Sequence, residues 1–143
     1  MTDAIIVDSS VAMKWFLKEP DADLADQVLN CGKLLLAPDL LLAEVANGLR
    51  RHERRGTISG SNVAIAVSSL ATLFAEVLSL DTLIVKALEI SQRLDHSIYD
   101  CLFLAAGHLR NAPLVTADAA FVAKLAGIID VGPIVLLADW KQS

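Results

Sequence analysis

Five apolar runs limit what this chain can fold into: AIIVD at residues 4–8, KLLLA at 33–37, AEVLSL at 75–80, APLVTAD at 112–118 and PIVLLA at 133–138. None keeps the strict alternation of a strand with one wet face, and the stretches between them have helical spacing. Strands that read as continuous apolar runs are buried on both faces, which happens when parallel strands are joined through covering helices. The fold class is therefore α/β, a sandwich of helices around a buried parallel sheet.

The helices are expected at about residues 11–17, at 22–31 with Gly32 closing it, and from Pro38 and Asp39 through LLLAEVANGLRRHERR to Gly56. A weaker one follows in SGSNVAIAVSSLATL, then one over 81–94, one in SIYDCLFLAAGHLR stopped at Asn111, and one in AAFVAKLAG. No repeat, linker or low-complexity stretch interrupts the 143 residues, so residues 1–143 are expected to form one domain.

With 55% hydrophobic but only 5% aromatic residues, the apolar content is mostly Leu, Ala, Val and Ile, which suits a dense core and excludes disorder. Pro38, Asp39 and Glu44 break the richest stretch, so no membrane span is expected. The start MTDAII has neither the basic region nor the long apolar run of a signal peptide, and a cytoplasmic location is expected. Cys31 and Cys101 are isolated and read as reduced, packed thiols. A net charge of −5 argues against bulk attraction to nucleic acid but leaves room for a local basic patch.

In parallel sheets ligands bind at the carboxyl ends of the strands, where several turns converge. The acids gather at those turns. Asp8 ends the first strand and Asp118 the strand PLVTA, each just before a helix; Glu44 and Asp100 sit in the first turns of helices that begin near the same edge. Each of Asp8, Asp100 and Asp118 also reads as a helix cap, Asp100 through a capping-box-like SIYD. Glu44 does not, since Asp39 is the better cap and Glu44 lies among Leu40, Leu41, Leu42 and Val45, where an uncompensated charge is costly. Two like charges about 4 Å apart repel by roughly 4 kcal/mol at an effective dielectric of 20, so converging carboxylates must hold protons or a cation. Oxygen donors with no His or Cys expected nearby select Mg²⁺ or Mn²⁺ over zinc, and such an ion suits phosphodiester hydrolysis.

IIVDSSVAMKWF, LLLAEVANGLR, SIYDCLFLAAG and LVTADAAF resemble, in order and spacing, the four acidic motifs of PIN-domain ribonucleases, most closely VapC toxins of toxin–antitoxin pairs. The resemblance runs from the first strand to about Phe121. It implies a three-layer sandwich with a central parallel sheet of about five strands. Asp8, Glu44, Asp100 and Asp118 then match the family's metal-binding, catalytic acids, and Ser10 and Thr116 match hydroxyls that orient a carboxylate or water. It further implies one or two Mg²⁺ or Mn²⁺ ions, RNA cleavage to a 5′-phosphate and a 3′-hydroxyl, a homodimer, and inhibition by a small antitoxin.

Asn47, one turn after Glu44, reads either as a partner of Glu44 or of a metal-bound water, or as an ordinary polar residue on the helix surface. RRHERR at 50–55 is either a solvated helix end or a set of RNA-phosphate contacts from Arg50, Arg51 and Arg54, with Arg51 on the Glu44 face. Trp15 and Phe16 belong either to the core or to a groove for the antitoxin. His52, His96 and His108 lack metal-ligand spacing and are assigned no catalytic role. A phosphoacceptor receiver would need adjacent acids after the first strand, where Ser9 follows Asp8, and an earlier lysine than Lys141; a dehalogenase-type phosphatase would need an acid at Ser10. A catalytically silent PIN-fold interaction protein is the remaining alternative.

Overall fold

The computed structural model describes residues 3–128 and 131–141. Its centre is a five-stranded, all-parallel sheet in the order β3-β2-β1-β4-β5, built from β1 (Ala4–Val7), β2 (Leu34–Pro38), β3 (Glu76–Leu78), β4 (Leu114–Thr116) and β5 (Ile134–Leu136). Seven α-helices flank it among the described residues: α1 (Ser9–Ala12), α2 (Ala22–Leu29), α3 (Leu40–Arg54), α4 (Gly60–Leu70), α5 (Leu80–Leu94), α6 (Ile98–Arg110) and α7 (Ala119–Leu125). The result is the expected three-layer α/β sandwich.

Burial explains the apolar runs. Ile5, Ile6, Val7, Leu35, Leu36, Ala37, Leu114 and Val115 are all buried, because the central strands have helices over both faces. Helix α6 is apolar nearly all round; Cys101 through Ala106 are buried where it packs on β1, β2 and α5. Among the described residues, no helix is long and apolar enough to cross a membrane.

Strand order positions the site. β1 lies between β2 and β4, with Val7 opposite Val115, so the chain grows outwards from β1 first to one side and later to the other. Side chains leaving the carboxyl ends of β1 and β4 meet at this switch point.

Several local expectations are corrected. The first helix is four residues long and tightens into a 3-10 turn at Met13–Trp15 instead of running to Leu17. Gly32 has a left-handed φ of 82° but lies beyond the end of α2, whose C-cap is Asn30. Asp39 does not cap α3 with its side chain. Its carboxylate accepts the N–H of Leu80 instead, joining the starts of α3 and α5. The SIYD capping box does not form either: Ser97 Oγ accepts from Tyr99 N–H, and Asp100 turns to another partner.

Candidate active site

Asp8, Ser9, Ser10, Met13, Glu44, Asn47, Arg51, Asp100 and Asp118 line one cleft of about 290 Å³. The four acids come from four different elements, each for a local reason. Asp8 and Asp118 are the N-caps of α1 and α7, so the capping reading of both is correct and compatible with a place in the cleft. Glu44 is carried on α3, whose apolar residues Leu41, Val45 and Leu49 are buried and turn the helix so that Glu44 reaches the strand ends. Asp100 stands in the first turn of α6. Gly48 on α3 lies against the end of the Met13 side chain, which lines the cleft.

A single pattern repeats at all four. Asp8 Oδ2 accepts from Ser10 N–H at 3.4 Å, Ser10 Oγ at 2.5 Å and Thr116 Oγ1 at 3.0 Å. Glu44 Oε1 accepts from Ser9 Oγ at 2.8 Å, Asp100 Oδ2 from His96 Nε2 at 2.7 Å, and Asp118 Oδ1 from Phe121 N–H at 3.0 Å. Among the described residues, every carboxylate thus gives one oxygen to the protein and keeps the other unbonded.

The hydroxyls are locked in direction. Ser10 Oγ accepts the N–H of Ala117 at 3.0 Å, and Thr116 Oγ1 accepts that of Asp118 at 3.2 Å. Their protons therefore point to Asp8, which leaves none for the 3.4 Å approach of one hydroxyl to the other. Thr116 is completely buried beneath the cleft and acts on it only through these bonds.

Burial pushes the Asp8 carboxyl above its ordinary value; the bonds from Ser10 and Thr116 oppose that, and the charge of Asp100 adds to it. Glu44 is raised too, first by burial, then by the charges of Asp8 and Asp100, against the Ser9 bond. These are carboxylates short of positive charge. Their donor set, oxygen only, fits a hard divalent cation. It is not a closed shell: among the described residues, no three acidic, imidazole or thiol side chains are grouped as a ready-made metal cage. Any ion here would keep part of its water.

The structure sorts the remaining candidates. Asn47 and Arg51 line the cleft, whereas Arg50 and Arg54 do not, and Arg50 pairs with Glu53 at 2.9 Å. Trp15 donates its indole N–H to Ala25 O at 2.9 Å and packs against Phe74. Phe16 instead lines a second, larger groove of about 940 Å³ with Leu17, His52, Ile58, Ile65 and Ala66. Sequence reasoning missed Ser9, Met13 and His96, and the expectation of no His or Cys near the acids is corrected: His96 Nε2 stands 2.7 Å from Asp100 Oδ2, and Cys101 follows Asp100 in the chain. Ser9 had a visible signal, a second hydroxyl beside Asp8 in the strand-to-helix turn. His96 had one only in its spacing of four from Asp100, which is weak because His96 lies before the helix begins.

A PIN domain family model matches residues 5–126, from β1 to just past α7. None of the curated proteins matches the chain. Among solved structures, the chain is similar to a toxin–antitoxin complex from Klebsiella pneumoniae, at 17% identity and a TM-score of 0.66 over 93% of this chain and 97% of that one. It is also similar to PAE2754 from Pyrobaculum aerophilum, at 20% identity and a TM-score of 0.68 over 92% of each chain. At such identities the likeness is one of fold. PIN domains are generally nucleases that use divalent metal ions, and by the extent of the family match the chain belongs to the PIN domain family.

Proposed function

We propose that this PIN chain is a Mg²⁺- or Mn²⁺-dependent endoribonuclease, a VapC-type toxin of a toxin–antitoxin pair. Residues 1–143 form its single nuclease domain and it acts in the cytoplasm. The observation that supports this best is the shared carboxylate pattern: four acids around one cleft, each with one oxygen fixed and one free. Asp8, Glu44, Asp100 and Asp118 hold one or two ions and are the catalytic acids. When bound, the metal supplies a water of lowered pKa and neutralises charge on the scissile phosphate.

The rest is the work of the chain. Ser10 and Thr116 hold Asp8, Ser9 holds Glu44, and each bond fixes a rotamer that charge repulsion would otherwise spread. Asn47 stands on the cleft rim, within the same turn of α3 as Glu44, and orients water there. Arg51 gives the rim a positive charge among four negative ones and meets a phosphate of the RNA.

The partners follow from two other surfaces. The 940 Å³ groove, with Phe16 at its edge and apolar Ile58, Ile65 and Ala66 along it, receives a segment of the antitoxin. Leu80, Ile84, Val85 and Leu88 form an exposed apolar stripe along α5 and supply the homodimer face. The fold likeness to a chain of a toxin–antitoxin complex supports the first of these partners.

Purified protein, freed of any partner, is incubated with structured RNAs and with DNA of matched sequence, with Mg²⁺, with Mn²⁺ and with EDTA, followed by end-group analysis. The reading requires RNA cleavage that depends on the metal and leaves a 5′-phosphate. Cleavage that persists in EDTA, or DNA cut as readily as RNA, overturns it.

A further inference from the structure

His96 and Lys124 lie outside the cleft lining, yet they form a chain that ends on one of its acids. Lys124 Nζ on α7 approaches His96 Nδ1 at 2.9 Å and also donates to Asp95 O at 3.0 Å; His96 Nε2 stands 2.7 Å from Asp100 Oδ2. The corner that carries His96 is built. Ser91 Oγ donates to His96 O at 2.5 Å, His96 N–H donates to Ser91 O, Asp95 takes a left-handed φ of 50°, and the imidazole lies against the Phe121 ring with centroids 4.8 Å apart.

Chemistry assigns the protons along this chain. An ammonium has only donors, so the nitrogen it meets must offer a lone pair. His96 Nδ1 is then unprotonated, its proton sits on Nε2, and that N–H is the donor to Asp100.

We propose that Lys124, bound at Nδ1 of His96, turns the Nε2–H of the ring to Asp100, and that His96 thereby acts as a positioning residue that orients Asp100 for the cation. The proposal rests on the metal-nuclease reading above and names residues for it that neither the family match nor the acidic motifs supply. The chain also joins the third acid to the fourth, because Phe121 and Lys124 belong to the helix that Asp118 caps.

Two readouts apart from catalysis test it: Mn²⁺ affinity by titration calorimetry, and the ring ¹⁵N shifts of His96 at neutral pH in the metal-free protein. Expected are an Nε2–H tautomer in the wild type, a mixture of tautomers in Lys124→Met, and a loss of Mn²⁺ affinity of about 10- to 100-fold in His96→Ala. His96→Gln, whose amide reaches the place of Nε2, should recover most of that loss. RNA cleavage by His96→Ala should return towards wild type at saturating Mn²⁺. A wild type that carries its ring proton on Nδ1 overturns the proposal, as does His96→Ala binding Mn²⁺ within twofold of wild type. If the wild type binds no Mn²⁺, or Asp100→Asn binds it equally well, the metal reading itself has failed, whereas the tautomer measurement still reports on the Lys124–His96 contact alone.

Discussion

The two halves of the acidic cleft are held in different ways. Asp8 and Glu44 are partly buried and fixed by the neutral hydroxyls of Ser9, Ser10 and Thr116, and burial pushes both carboxyls up from their ordinary values. Asp100, with 41% of its side chain exposed, and the exposed Asp118 are fixed by an imidazole and a backbone N–H. Neutral hydroxyls set direction without supplying charge, so the buried half is electrostatically unfavourable by itself. The exposed half is eased by water and held by partners close in sequence, His96 for Asp100 and Phe121 for Asp118.

The sharpest way to break this contrast is to neutralise one acid in each half. Asp8→Asn and Asp118→Asn should each lower cleavage by about a thousandfold, because a metal supplies several kcal/mol to the transition state and each ~1.4 kcal/mol is tenfold in rate. Their metal-free stabilities should diverge. Asp8→Asn removes a buried charge and should raise the melting temperature in EDTA, whereas Asp118→Asn keeps an equally good helix cap and should leave it nearly unchanged. Parallel shifts in thermal denaturation would erase the distinction between the halves.

Next in size is Thr116→Val, which keeps the shape of a fully buried side chain and deletes its hydroxyl. It strands the N–H of Asp118 and frees one side of Asp8, so a destabilisation of about 1–3 kcal/mol is expected by chemical denaturation, with Mn²⁺ affinity falling about tenfold. An unchanged Mn²⁺ affinity would show that the hydroxyl serves only the fold.

A pH series in EDTA gives a smaller effect of definite sign. Asp8 and Glu44 bind protons more readily folded than unfolded, so stability is greatest below their ordinary values and is lost as pH rises through their elevated ones. The metal-free melting temperature should therefore climb as pH falls from neutral towards the carboxylate range. Saturating Mg²⁺ should reverse the slope and Glu44→Gln should flatten it. A metal-free slope of the opposite sign would mean the two carboxyls do not carry the strain assigned to them.

The smallest effect separates the arginines. Arg51→Ala should reduce the dependence of log RNA affinity on log salt by about 0.7, one phosphate of a single strand, while Arg50→Ala, already paired with Glu53, should not. Equal slopes on an Asp8→Asn background would return Arg51 to the solvated end of α3.

The layers, the parallel sheet and the edge where the acids meet were legible because strand burial and helix spacing are local patterns. Glu44 was legible for a related reason: a charge amid Leu40, Leu41, Leu42 and Val45 has no local excuse. What failed was the choice among partners. Asp39 and Asp100 both fit a local cap pattern, yet one serves Leu80, 41 positions away, and the other His96, across the start of its own helix. A short side chain in a first turn has several donors within reach, and only tertiary packing decides between them. The bonds of Ser9 to Glu44 and Thr116 to Asp8 span 35 and 108 positions and leave no trace in either neighbourhood.

The strand order also sets the timing of assembly. β1, β2 and β3 can pair as soon as they have been synthesised, but the open edge of β1 waits for β4, more than a hundred residues later, and closing so long a loop is among the slow events of folding. Until then Asp8 lacks Thr116, Ser10 lacks the Ala117 N–H, and Asp118 has not arrived. A nascent or truncated chain that ends before β4 therefore carries three of the four acids without the Thr116 and Ala117 contacts that organise the cleft.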